Sequence, residues 1–236
     1  SDIEKQIYRA YTASRDQILT NIRNELLSDH ASNINDLPKD MASYMNYIYS
    51  FLSSDSCGIV LLDKIDQNSA PYQSWKAGTV SLRDYIYSGI AASWVDTTKL
   101  DSTSKYSNAD DIYIQLVDYI ITRLQDDKRF TKRMFRYLIN DNVIPGNWLC
   151  LALFSQGVLK NDPQARAGLA MGDSAYTYNF IKSKISNLEL TPAQLALDPC
   201  TAGCVVTDVR TGEIRALVSY PSYDNNRMSG SVDAAY

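Results

Sequence analysis

The stretch SDIEKQIYRAYTASRDQILTNIRNELLS, residues 1–28, decides the fold class. Ser1 followed by Glu4 is a capping box, in which side chains at the first turn satisfy free backbone N–H groups. Ile3, Ile7, Tyr11, Ser14, Ile18, Ile22 and Leu26 then recur at intervals of three and four. That period places them on one face of an amphipathic helix ending near Ser28. A polar loop, His30 to Asp36, follows, and Pro38 stands where a first helical residue belongs, ahead of Met41, Met45, Ile48 and Leu52. Cys57 to Leu62 is a short apolar run whose period fits strand and helix equally. Ser81 with Asp84, and Asn108 with Asp110 and Asp111, open two further helices, since short polar and acidic side chains serve helix N-termini. Helical segments continue through Phe130–Ile139, through Pro145–Gln156 with Gly157 as the stop, through Pro163–Ala170 and through Tyr176–Ile185. Thr191, Pro192 and Gln194 combine a cap, an N1 proline and a capping-box partner. The expectation is a mainly α chain of about eight or nine helices.

Composition agrees. Of 236 residues, 45% are hydrophobic and 21% charged, an ordinary globular balance that allows a core without disulfides or metal. Gly (10) and Pro (7) are too sparse for a turn-rich all-β chain. With 23 basic and 27 acidic residues, a net charge of -4 and no basic stripe, nucleic acid is not an expected partner. The longest apolar runs, Gly58–Leu62 and Ala193–Leu197, are far too short to span a bilayer. The polar start at Ser1–Glu4 is not a signal peptide, so a cytosolic protein or an excised piece is expected.

The four cysteines, at 57, 150, 200 and 204, form neither a zinc pattern nor a C-x-x-C pair, and His30 is the lone histidine. No metal or cofactor is expected. Cys150 lies within the apolar segment Trp148–Phe154 and is expected to pack as a small hydrophobe. Cys200 and Cys204 approach for a disulfide only if the chain turns between them, because an extended segment separates them by ~13 Å.

The texture changes at Gly203. Cys204–Asp208 and Ile214–Ser219 are β-rich, and Gly212 in the intervening Val209–Glu213 segment supplies a positive φ, so a β-hairpin is expected over 203–220. A hairpin alone is marginal in water. It therefore leans on the helices, self-associates through its edge, or belongs to a larger sheet that the chain does not contain, which makes the C-terminal end look cut. Arg215 is the one charge in the second strand that guards against aggregation.

Residues 202–226, AGCVVTDVRTGEIRALVSYPSYDNN, resemble the start of the transpeptidase domain of penicillin-binding proteins, where the pattern runs G-A-V-V-x-D-x-x-T-G-E-I-L-A-M-V-S-x-P-x-Y-D-P-N. The signature positions here are Gly203, Asp208, Thr211, Gly212, Glu213, Pro221, Tyr223, Asp224 and Asn226. Asn225 stands where proline is usual, and Arg215 where the family is apolar. Leu190–Cys200 and the long helical region are similar to class B penicillin-binding proteins of Gram-positive, clostridia-like bacteria, which carry a helical insertion there. The resemblance implies a parent that is extracytoplasmic and membrane-anchored, and that cross-links peptidoglycan through an acyl-serine. Its partners are implied to be its own transpeptidase domain and other cell-wall synthesis proteins. In the family the S-x-x-K, S-x-N and K-T-G motifs all lie downstream of the hairpin. This chain is accordingly read as non-catalytic: residues 1–75 a helical subdomain, 76–198 a second helical subdomain, and 199–236 the hairpin that begins a transpeptidase domain. The competing reading is a free-standing helical adaptor with no penicillin-binding activity.

Several look-alikes have plainer readings. Ser102-Thr103-Ser104-Lys105 fits S-x-x-K, but in a polar stretch between helices without an S-x-N motif. Arg210-Thr211-Gly212 imitates K-T-G in a turn. Asp110/Asp111 suits a helix N-terminus and Asp126/Asp127 a solvated face. The 17 tyrosines, with Tyr44, Tyr47 and Tyr49 on one helix, suit seams between packed helices better than glycan stacking. Asp66–Ser74 is the most linker-like stretch, suggesting a division near residue 75.

Overall fold

A computed structural model describes residues 1–100, 108–191 and 202–220. Among these, nine α-helices precede one antiparallel strand pair, the mainly α fold with a C-terminal hairpin that the periodicity implies. The helices are α1 (Asp2–Leu27), α2 (Lys39–Leu52), α3 (Ala70–Ala77), α4 (Leu82–Ala91), α5 (Ala109–Asp126), α6 (Lys128–Asn140), α7 (Gly146–Ser155), α8 (Pro163–Ala170) and α9 (Ser174–Ser186). The strands are β1 (Ala202–Thr207) and β2 (Ile214–Tyr220). No helix among the described residues is long and apolar enough to cross a membrane. The chain divides into two compact units, Ser1–Ala152 and Leu153–Tyr236.

In the first unit the caps fall where the residue types place them. The Ser1 side chain accepts from the Glu4 N–H in a full capping box, and Asn108 with Asp111 makes a second one. Ser81 accepts from the Asp84 N–H at 3.0 Å. The core is assembled from the helical stripes: Leu19, Ile22 and Leu26 of α1; Tyr44, Met45, Ile48 and Leu52 of α2; Leu116, Val117, Ile120 and Leu124 of α5; Phe130 and Met134 of α6. Each such side chain, fully buried, contributes roughly 1.5–3 kcal/mol. α1 packs on α5 and α6, α2 on α6, and α4 on α5. The buried Tyr113 hydroxyl donates to the Leu26 carbonyl at 2.9 Å, satisfying an acceptor that the end of α1 leaves open.

The three tyrosines of α2 do lie in helix seams. Tyr44 meets Phe130 and Tyr137 edge-on with ring centroids 5.4 and 5.7 Å apart, and Tyr47 stacks on Phe130 at 5.9 Å. Tyr49 joins Trp75 and Tyr85, whose rings stack at 5.1 Å.

Two local readings are corrected and one left open by the sequence is decided. Asp127 is not on a solvated face: it caps α6, accepting from the N–H groups of Arg129 at 2.7 Å and Phe130 at 2.9 Å, and it also accepts from the Tyr47 hydroxyl at 2.7 Å. One carboxylate therefore sets the α5–α6 corner and ties it to α2. Second, the linker-like stretch 66–74 runs into α3, a helix with Pro71 in its first turn and Gly78 at φ 71° as its C-cap. It is too short to display a period, but Trp75 anchors it in the core at 8% exposure. The core of this unit runs from Leu19 to Met134. Third, Cys57–Leu62 is neither helix nor full strand. It forms a single antiparallel bridge, Val60 with Val95, and the Asp96 N–H donates to the Ile59 carbonyl at 2.7 Å. Lys99 Nζ closes this loop by donating to the carbonyls of Cys57 and Gly58.

Cys150 is 3% exposed, and burial pushes its thiol up to about 11, so it is an inert packing group. In the second unit, Gly168 of α8 lies under the Tyr176 ring so closely that a Cβ there would overlap it, and Phe154 and Phe180 have ring centroids 5.8 Å apart.

Candidate functional site: the hairpin and its charged turn

The strand pair runs in the register Cys204↔Val218, Val205↔Leu217 and Val206↔Ala216, then shifts to Thr207↔Ile214. Arg215 is the residue left over. A β-bulge of this kind bends the strand and re-aims the extra side chain. Here Arg215 Nη2 reaches Asp208 Oδ2 at 3.2 Å and Glu213 Oε2 at 3.1 Å, one cation between two signature carboxylates. Arg215 and Glu213 are exposed and Asp208 is half-buried, so each pair is weak by itself, but together they fix the geometry of the turn.

Asp208 organises that turn from within. Its Oδ1 accepts from the N–H of Arg210 at 2.9 Å and of Thr211 at 3.3 Å, folding residues 208–211 around the side chain as Asx residues do. Its main chain closes the loop: the Asp208 N–H donates to the Glu213 carbonyl and the Gly212 N–H to the Asp208 carbonyl, both at 2.8 Å. Gly212 has φ 74°, the left-handed region where a Cβ is costly. The Thr211 hydroxyl accepts from the Glu213 N–H at 3.3 Å. Asp208, Thr211, Gly212 and Glu213 thus each have a structural task in one turn, and Arg210-Thr211-Gly212 is turn backbone.

The N–H donors of Arg210, then the Arg215 guanidinium and the Thr211 N–H, hold the Asp208 carboxyl below the usual carboxylate range. A depressed carboxyl contributes stability above its unfolded pKa and loses it as pH falls through its folded value. The expected outcome is that amide chemical shifts of residues 209–213 stay constant from neutral pH down to the ordinary carboxylate range and then move together below it. In Asp208→Asn this acid transition disappears. Shifts in the variant that still follow the wild-type acid curve would overturn the assignment of the transition to Asp208.

Gly203 lies in β1, where an added Cβ would meet nothing within 4 Å. Cys204 is an exposed free thiol. Pro221, Tyr223, Asp224 and Asn226, the Ser102–Lys105 look-alike, Cys200 and the Pro192–Gln194 cap lie outside the described residues. From Gly203 to Leu217 the hairpin side chains are exposed, with Asp208 and Ala216 half-buried. Val205 at 57%, Val206 at 48% and Leu217 at 72% leave apolar surface open on both faces of the hairpin. Sequence reading gave Arg215 only a guarding role. Its position two residues after Glu213 and seven after Asp208 is a charge pattern from which the clamp could have been read.

Among the described residues no group of three or more His, Cys, Asp or Glu is placed to hold a metal ion. No protein-family model, curated protein or solved structure matches this chain.

Proposed function

We propose that the chain is the helical, non-catalytic region of a class B penicillin-binding protein, joined to the first hairpin of its transpeptidase domain. The acyl-serine chemistry of peptidoglycan cross-linking then belongs to sequence downstream in the membrane-anchored, extracytoplasmic parent. The observation that carries this reading is the hairpin itself. It combines the signature turn with apolar side chains exposed on both faces, whereas a strand pair of this kind gains independent stability from further strands or a covering layer. Gly203 supports it as well: no described residue of this chain requires a glycine there, and a strand glycine suits close approach of another backbone. Downstream strands of the transpeptidase sheet supply both the cover and the backbone. The helices serve as a pedestal for that domain.

The test is acylation by fluorescent penicillin. The chain of residues 1–236 remains unlabelled, while the same chain extended by the residues its gene encodes after Tyr236 carries an S-x-x-K serine and forms a stable covalent adduct. Labelling of the 236-residue chain overturns the assignment of the chemistry to downstream sequence. An extension that lacks S-x-x-K overturns the family reading and leaves a helical adaptor.

A further inference from the structure

α6 carries five of the chain's 23 basic residues, Lys128, Arg129, Lys132, Arg133 and Arg136, and none of its 27 acidic ones. Along the chain they are interrupted by Phe130, Thr131, Met134 and Phe135, but the turn of a helix sorts them. Phe130, Met134 and Leu138, four positions apart, form the buried stripe. Lys128, Lys132 and Arg136 repeat the same step from two positions earlier, about 200° around the axis, and Arg129 sits one turn below Lys132. All four are exposed. Arg133 is turned toward α2 instead, donating to Ser43 Oγ at 2.7 Å and lying over the Tyr47 ring. Among the described residues no ion pair neutralises Lys128, Arg129 or Arg136. Of the carboxylates that flank α6 in sequence, Asp126 ends α5, Asp127 is committed to the N-terminal amides and the Tyr47 hydroxyl, and Asp141 is the C-cap. Helix stability does not account for this arrangement. Lys128 and Arg129 occupy the first turn, where the helix dipole disfavours cations, and no basic residue stands in the last turn, where it favours them. Lys128 with Lys132, and Lys132 with Arg136, are like charges at i,i+4, a spacing that weakens a helix.

We propose that this face of α6 docks on an anionic phospholipid bilayer. Charge complementarity selects an anionic partner, and the shape and chemistry of the face select a flat one. The cations stand on the convex side of one helix and project over an arc of about 100°, so they can meet a single plane together. Single-stranded nucleic acid is held by exposed rings along a groove. Here the rings of α6 are spent inside the fold: Phe130 is fully buried, Phe135 stacks on Tyr11 at 4.7 Å, and Tyr137 packs edge-on to Tyr44. A folded protein partner needs an apolar or aromatic anchor at the centre of the contact, and the one exposed large apolar side chain of α6 is Ile139, near its end. Because the apolar stripe is already in the core, α6 cannot sink into the lipid as a free amphipathic helix does. Binding is therefore peripheral and salt-sensitive, each cation at an anionic surface strengthening it about fivefold. It needs α6 alone and is independent of the family reading.

The experiment is co-sedimentation of the 236-residue chain with vesicles of equimolar phosphatidylglycerol and phosphatidylcholine, beside vesicles of phosphatidylcholine alone. Despite its net charge of -4, the chain binds the anionic vesicles half-maximally at about 1 mM lipid in low salt, and does not bind the neutral ones. The double variant Arg129→Gln/Arg136→Gln binds about 25-fold more weakly. A second double variant, Lys76→Gln/Lys182→Gln, removes two exposed cations from α3 and α9 and has the same net charge, yet stays within about twofold of the wild type. Circular dichroism of both matches the wild type. Equal losses in the two variants would trace the binding to net charge and overturn the assignment to α6. Absence of binding to anionic vesicles by about 10 mM lipid, or equal binding to both vesicle types, overturns the proposal on the wild-type chain, with no variant required to fold. Binding to soluble polyphosphate without binding to the vesicles would assign the face to a linear polyanion and overturn the bilayer as its partner.

Discussion

Phe130→Ala lowers the unfolding free energy of the helical unit by about 3–5 kcal/mol, the largest effect expected of any single truncation here. Phe130 is fully buried at the first turn of α6, between the rings of Tyr44 and Tyr47. Removing its ring forfeits the transfer energy of burial and leaves a void that cannot collapse. Tyr47 is tethered by its hydroxyl to Asp127, and Tyr44 is pinned between α2 and α6. The loss is a large part of a domain's usual margin of about 5–15 kcal/mol. Urea denaturation followed by circular dichroism measures it, with a lowered midpoint and an unchanged slope. A cost below about 1 kcal/mol would mean that the neighbouring rings close over the gap, and the tethering argument would fail.

Gly89→Ala is expected to destabilise the same unit by about 1–3 kcal/mol, although helix propensity alone predicts a gain of about 1 kcal/mol. Gly89 lies inside α4, and a Cβ there would overlap the indole of Trp94. Two effects oppose, and the winner depends on whether Trp94 can move away. It cannot do so cheaply: Trp94 is 6% exposed, its ring lies 5.0 Å from that of Tyr85, and its backbone N–H donates to the Gly89 carbonyl at 3.0 Å, which fixes the chain that carries the indole. Overpacking therefore outweighs propensity. The checks are the urea midpoint and the tryptophan emission, which shifts to the red as Trp94 is displaced toward water. A variant more stable than the wild type would show that the indole yields.

What the sequence determined by itself is the set of features whose physics closes within a few residues. The Ser1, Ser81 and Asn108 caps each bind an N–H group three residues away, and the apolar stripes of α1, α2 and α5 repeat every three or four residues. Those interactions reach no further than one turn, so they can be read along the chain, as can the hairpin with Gly212 at its turn. Tertiary structure decided everything whose partner is remote. α3 has a weak period of its own and is held through Trp75 against Tyr49 and Tyr85. The ambiguous run at 57–62 takes its conformation from Val95 and Lys99. Asp127 became a junction because Tyr47, 80 positions earlier, points its hydroxyl at it. The same holds for the Tyr44 seam: nothing along the chain links Tyr44 to Phe130 and Tyr137, and it is the packing of α2 on α6 that brings the three rings together.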